Sequence, residues 1–371
     1  MKLAIRVDAS IRIGTGHVAR CLALASALKK IFLNLDITFL CRNALGNMNA
    51  HIREQGYRVC GLDINEVDLV FTGKELQVNC QQNEADICLK QLGSNKYHLL
   101  IVDHYGLSEH FCCKMRRKCE QIMVIDDLAN RKHDCDLLLD QNLLPEFSNR
   151  YRDLVNKETL LLLGPKYALL RDEFYLEYHP ILFEKVPNIL VFFGGSDSEN
   201  VTRTALLGLT RVLKPAFKAQ DFNIDVVLGA SNPWKENLFA EFADCQYLSW
   251  HVQCDYIAKL MANATLSLGA GGSSHWERCI TGVPSVVITV VDNQIATTQY
   301  LASLGACLFL GDVKNVTSEE IALAVNRLLE SLELRQQLSD NARQIINLDD
   351  GLPRVLDALK TYLATIGMGE S

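Results

Sequence analysis

Short apolar runs alternate along this chain with longer segments of helical period, and the pattern runs through twice. In the first half, Leu3–Val7, Ile37–Leu40, Leu99–Val102, Ile122–Ile125, Leu137–Leu139 and Leu160–Leu163 have strand length and little polar interruption. Between them, segments such as "HVARCLALASALKK" and "SEHFCCKMRRKC" repeat apolar residues at helical spacing. The second half restarts with "NILVFFGGSD", "FNIDVVLGA", "ATLSLGAGGSS" and "PSVVITVV". Strands that lack polar alternation are buried on both faces, which requires parallel sheets covered by helices. The expected class is α/β, with two doubly wound Rossmann-like domains facing a central cleft.

A length of 371 residues fits two domains better than one. The seam falls where Pro165 stops a strand and the aromatic, charged segment "KYALLRDEF" begins. This places an N-terminal domain at 1–165, a linker at 166–187 and a C-terminal domain at 188–371, the last helices packing back toward the N-terminal domain. From Thr317 onward the pattern is nearly all helical. Thr317 followed three residues later by Glu320 reads as a capping box that opens this tail.

Composition narrows the function classes. At 49% hydrophobic and 22% charged residues the chain is globular, and no run reaches the ~18 apolar residues of a membrane span. "MKLAIRVDAS" carries Arg6 and Asp8, so it reads as a first strand and not as a secretory signal. A net charge of −7 without a basic stripe argues against nucleic acid as a partner. The thirteen cysteines include no C-x-x-C pair, as expected of reduced thiols in a cytoplasmic protein. "HFCCKMRRKC" fits no common zinc spacing, and no metal or cofactor is expected.

In doubly wound sheets ligands bind beyond the carboxyl ends of the strands. At the first such end, "IRIGTGHVAR" puts Gly14, Gly16 and His17 between strand and helix. A third fingerprint glycine is missing, which counts against a dinucleotide. The positive end of the helix disfavours imidazolium, leaving His17 as a neutral base or as a mere loop anchor. "IVDHYG" delivers Asp103 and Tyr105, and "IDD" delivers Asp126 and Asp127, which as strand-end acids serve either ligand or loop. In the second half, Gly194, Gly195, Ser196, Asp197 and Asn200 form one glycine-rich turn into a helix. Gly269, Gly271, Gly272, Ser273 and Ser274 form another. Such turns cradle phosphate with backbone amides, and two of them suit a diphosphate. Glu277, one turn beyond Ser273, is placed to accept ribose hydroxyls. Asn293 and Gln294 follow a strand as amides able to hold sugar hydroxyl or acetamido groups.

Together "GTGHVAR", "IVDHYG", "IDD", "YALLRDEF", "FFGGSD", Glu277 and "DNQ" make the chain resemble the GT-B superfamily of nucleotide-sugar enzymes. Within it, the resemblance is to the UDP-sugar hydrolases of pseudaminic acid biosynthesis. It implies that His17 activates water, that the two glycine turns bind UDP, that Asn293 meets the sugar, and that Arg171 lies between the domains. It also implies independence of metals. Two features depart from the pattern. "ERCITGVP" from Glu277 is closer to the peptidoglycan glycosyltransferases, and the stretch from about 310 matches no family motif.

The expectation is hydrolysis of a UDP-linked diacetamido-trideoxy sugar to UDP and the free sugar. Attack opposite the leaving group implies inversion at the anomeric carbon. The alternatives are a glycosyltransferase in which His17 deprotonates an acceptor hydroxyl, a UDP-sugar 2-epimerase, and a non-catalytic nucleotide-sugar binder.

Overall fold

A computed structural model describes residues 1–63, 74–177, 187–216, 222–230 and 232–365. Its described residues form two compact units. The first holds Met1–Asn142, Glu146–Leu169 and the chain from Asp350 onward; the second holds Leu143–Pro145 and Leu170–Asp349. Of the 166–187 segment, residues 178–186 lie outside the described residues.

The first unit contains a parallel sheet in the order β3-β2-β1-β4-β5-β6-β7. Its strands are β1 (Lys2–Val7), β2 (Asp36–Arg42), β3 (Arg58–Leu62), β4 (Tyr97–Asp103), β5 (Cys119–Ile125), β6 (Leu137–Asp140) and β7 (Leu160–Leu163). Helices α1 (Gly16–Ile31), α2 (Asn49–Glu54), α3 (Val78–Gln91) and α4 (Glu109–Met115) connect them. The second unit has a parallel sheet in the order β10-β9-β8-β11-β12-β13. Its strands are β8 (Asn188–Phe192), β9 (Asn223–Leu228), β10 (Leu248–Val252), β11 (Leu266–Ala270), β12 (Ser285–Thr289) and β13 (Leu308–Asp312). With them come α5 (Glu173–Leu176), α6 (Val201–Ala216), α7 (Lys235–Glu241), α8 (Ile257–Asn263), α9 (Ser274–Thr281), α10 (Ile295–Ser303), α11 (Ser318–Glu330) and α12 (Leu332–Ile345). The last helix, α13 (Leu352–Thr365), belongs to the first unit, where it packs on α1.

The central strands fall where the apolar runs put them, because each is buried on both faces. Leu3, Ile5, Leu99, Ile101, Leu137 and Leu139 belong to one buried core cluster with Leu24 and Leu28 of α1. Each such side chain contributes roughly 1.5–3 kcal/mol by leaving water. Strands β3, β10 and β13 were not foreseen, and all three are sheet edges. "RVCGL", "LSWHV" and "LFLGD" are only half buried, so they lack the apolar signal of a central strand. The capping box forms as expected. The Thr317 hydroxyl accepts from the Glu320 amide at 3.2 Å, and the Glu320 carboxylate accepts from the Thr317 amide at 2.8 Å.

The first sheet carries a buried ionic network near its strand ends. Arg6 of β1 donates two hydrogen bonds of 2.7 Å to Asp8 and one of 2.8 Å to Glu84 of α3. Arg42 at the end of β2 pairs with the other Glu84 oxygen, and its backbone amide donates to Asp8 at 2.7 Å. His104 Nε2 lies 3.3 Å from Asp8. One carboxylate, Glu84, thus serves two buried guanidinium groups. Breaking such a network strands a buried charge, which typically costs about 3–5 kcal/mol. Glu84→Gln should lower the stability of the full chain by that amount in urea unfolding; an unchanged midpoint would show that the network does not stabilise the fold.

Candidate functional site

In both sheets the strand order reverses beside the first strand of the unit, between β1 and β4 and between β8 and β11. These are the topological switch points at which open α/β sheets bind ligands. The sequence places a strand-to-helix turn with chemical groups at each.

In the first unit the turn after β1 doubles back on itself. The Gly14 amide donates to Ser10 O at 2.9 Å and the Ile13 amide to Ser10 Oγ at 3.0 Å. Gly14 sits at φ +76°, a conformation that strains any residue with a Cβ. Helix α1 then starts at Gly16 without a side-chain cap, so His17 lies in a first turn whose amides face outward. The His17 side chain is 12% exposed, neither sealed in the core nor free in solvent.

Asp103, at the end of the neighbouring β4, meets it. Asp103 Oδ1 lies 2.6 Å from His17 Nδ1, and Arg20 grips both Asp103 oxygens at 2.6 Å. Arg20 Nη2 is also 3.0 Å from Nδ1. A guanidinium only donates, and a carboxylate only accepts, so Nδ1 can satisfy one of them. The shorter contact decides it: Nδ1 carries a proton and donates a hydrogen bond to the Asp103 carboxylate. Nε2 faces away from Asp103, and in the neutral ring it carries the lone pair that a general base requires. Burial works to raise the Asp103 pKa, but Arg20 and His17 together hold it well below the usual carboxylate range. On the other side, Tyr105 stands edge-on to the imidazole with ring centres 4.7 Å apart. Its hydroxyl donates to Asp127 at 3.0 Å, and Arg20 Nη1 lies 3.4 Å from the same oxygen. Burial and the Asp127 charge push the Tyr105 phenol up, so it remains a proton donor.

Arg20 was not foreseen, although it lies inside "GTGHVAR". Its spacing of three residues from His17 on one helix face was the available signal. Of the two acids after β5, Asp127 joins the site and Asp126 does not. Asp126 is fully buried and bonded to the Ala129 amide, Tyr151 and Arg131, so it anchors the loop.

In the second unit the two glycine turns differ. After β8, Asp197 gives both carboxylate oxygens to the first-turn amides of α6, Val201 at 2.9 Å and Thr202 at 3.0 Å. The start of that helix is thus already occupied by an anion, which leaves Gly194, Gly195 and Ser196 as the part of the turn open to a ligand. Asp197 and Asn200 hold positive φ angles of 40° and 55°, and Asn200 Oδ1 is buried without a hydrogen-bond partner. After β11, by contrast, α9 begins at Ser274 with no side-chain cap from Ser273, and Gly272 has φ +84°. Here the helix start is open.

Glu277 lies in the first turn of α9, with Oε1 3.9 Å from Arg171 Nη2. Arg171 also pairs with Glu173 at 2.9 Å. Asn293 is exposed in a short turn, Asp292–Gln294. Gln294 faces inward: its Oε1 accepts from the Val290 amide at 3.0 Å, and it lies against Gly271 and Gly272. It braces the glycine turn. Among the described residues no group of three or more His, Cys, Asp or Glu side chains is arranged to hold a metal.

Solved structures of low sequence identity share this architecture. MurG of Acinetobacter baumannii has a TM-score of 0.62 at 16% identity, over 97% of this chain and 99% of that one. The calicheamicin glycosyltransferase has a TM-score of 0.59 at 14% identity, over 98% of both chains. The fold is GT-B. No protein-family model matches the chain. Among curated sequences, an uncharacterized protein of Methanocaldococcus jannaschii is 31% identical over 298 residues, 78% of this chain. The match spans about half of that protein's length, 55%. The spore coat polysaccharide biosynthesis protein SpsG of Bacillus subtilis is 27% identical over 97% of this chain and 98% of its own. UDP-2,4-diacetamido-2,4,6-trideoxy-beta-L-altropyranose hydrolase of Campylobacter jejuni is 27% identical over 82% of this chain and 97% of its own. Within the GT-B frame, the His17–Asp103–Arg20 cluster marks the switch point of the first unit and the open α9 turn that of the second.

Asp103→Asn should cost about 3–5 kcal/mol, because it leaves Arg20 buried beside a neutral amide. The folded-state pKa of Asp103 is depressed, so its stabilisation is complete above the unfolded value of about 4 and is lost as pH falls through the folded value. The stability gap between native and variant chains, followed by urea unfolding, should be constant from pH 5 to 8 and narrow below pH 4. A gap that widened in acid would contradict an ionised Asp103.

Proposed function

We propose that this protein is an enzyme that hydrolyses a UDP-linked diacetamido-trideoxy sugar to UDP and the free sugar. The observation that carries the reading is the 2.6 Å contact from His17 Nδ1 to Asp103, which turns Nε2 away from the carboxylate in the first turn of α1. The identity to the Campylobacter jejuni hydrolase, over 97% of that protein, supports the choice of substrate class.

In this reading the first unit holds the sugar and the second holds the nucleotide. A water molecule donates its proton to His17 Nε2 as its oxygen attacks the anomeric carbon. The bond between that carbon and the diphosphate oxygen breaks, and the electron pair leaves with UDP. Asp103 stabilises the imidazolium that forms, and Arg20 keeps Asp103 in register. Amides of the Gly194–Ser196 and Gly272–Ser274 segments receive the charge that develops on the diphosphate. Glu277 accepts the ribose hydroxyls, while Tyr105, Arg171, Asn200 and Asn293 contact the substrate. Attack from the face opposite UDP inverts the anomeric carbon.

Incubation with the UDP-diacetamido sugar in H₂¹⁸O, without any acceptor, should release UDP. The label should appear at the sugar anomeric carbon, and NMR should show an inverted first-formed anomer. UDP release only when an acceptor alcohol is added would replace this reading with a glycosyltransferase. His17→Ala should reduce turnover by roughly 10²–10⁴-fold with UDP affinity unchanged; near-native turnover in that variant would remove His17 from the chemistry.

A further inference from the structure

The buried arginines of the first unit all meet a carboxylate: Arg6 and Arg42 share Glu84, Arg20 grips Asp103, and Arg131 pairs with Asp126. Arg278, in α9 of the second unit, does not. Its residue is 2% exposed, yet only one guanidinium nitrogen has hydrogen-bond partners. Nη2 donates to Ala270 O at 2.6 Å and lies 3.3 Å from His275 Nδ1, while Nε has no partner. Burial draws the guanidinium below the ordinary arginine range, against an opposing effect of neighbouring groups that include Glu277.

The position of this charge is specific. Through Ala270 O, Arg278 meets the last residue of β11, immediately before the turn that leads into α9. A Cβ on Gly269, the next-to-last residue of β11, would sit 2.5 Å from Phe192 O and 3.0 Å from Arg278 Nη1, so the guanidinium lies against the carboxyl end of that strand. The uncapped positive end of α9 lies on the same turn. His275 offers no countercharge: it is fully buried, burial and Arg278 both lower its pKa, and its Nε2 meets the Thr298 hydroxyl at 2.9 Å. Thr298 in turn donates to Gln294 O at 2.7 Å, linking the cation to the Gln294 segment that braces the turn. A buried guanidinium at the end of β11 and an open helix start thus flank one turn, and among the described residues no carboxylate is hydrogen-bonded to either.

We infer that Arg278 is a positioning residue that supplies the fixed countercharge for the diphosphate of the nucleotide, acting from the carboxyl end of β11 behind the Gly271–Ser273 turn. The inference rests on the nucleotide reading above. The bound diphosphate completes a charge pair that the protein leaves half built. Such a cation costs stability in the empty protein and returns it on binding.

The test titrates UDP, inorganic pyrophosphate and uridine into the wild-type chain, Arg278→Met and Arg278→Lys by calorimetry, with thermal unfolding of each ligand-free protein. Arg278→Met should bind UDP and pyrophosphate about tenfold more weakly or worse, equivalent to roughly 1.4 kcal/mol or more. Its uridine affinity should be unchanged, and its ligand-free melting temperature should equal or exceed that of the wild type. Arg278→Lys should recover part of the loss. A folded Arg278→Met protein with wild-type UDP affinity overturns the inference. So does a melting temperature that falls in both variants with equal losses for uridine and UDP, which marks a purely structural arginine. A wild-type chain that binds neither UDP nor pyrophosphate overturns the nucleotide reading itself, and the inference with it.

Discussion

The ionised carboxylate of Asp103 organises the cluster of polar side chains at the switch point of the first unit. It closes β4 directly beside the end of β1, where Val7 and Asp103 are in register. A buried carboxylate in that position needs a cation and hydrogen-bond donors, and α1 supplies them from successive turns of one face as Arg20 and His17. The tautomer of His17 follows from that demand. So does the fixed position of Arg20, whose other edge approaches Asp127 and through it orients Tyr105. A single desolvated charge therefore determines which ring nitrogen remains basic.

The two sheets share a topology but manage charge in opposite ways. Each buried arginine of the first unit pairs with a carboxylate, as in the Arg6–Asp8–Arg42–Glu84 network and again around Asp103. The second caps one helix start with Asp197 and leaves the other open, with an arginine beneath it that meets only a carbonyl and an imidazole. Paired ions give a rigid frame suited to holding a base in place. Unpaired positive groups favour an incoming anion.

Much of this was legible in the sequence for identifiable reasons. Central strands such as Leu99–Val102 declared themselves because burial on both faces demands continuous apolar side chains. Edge strands such as Leu248–Val252 did not, because one exposed side relaxes that demand. His17, Asp103 and Tyr105 could be named because they follow strands and flank glycines. Asp126 and Asp127 could not be told apart, since adjacent acids at a strand end differ only in which way the loop turns them. Asp197 likewise looked like part of a phosphate turn, and its use as a cap of α6 depends on a positive φ that no residue type announces.

The sequence by itself determined the two parallel sheets, the turns at their switch points and the histidine in the first turn of α1, because burial and glycine placement are local demands written residue by residue. Only the tertiary structure decided what each charge meets. Arg20 and Asp103 are 83 residues apart, Arg6 and Glu84 78 residues apart, and Arg278 lacks a carboxylate hydrogen bond. Pairing at such separations is set by strand order and desolvation. A chain read in one dimension lists its ions but not their partners.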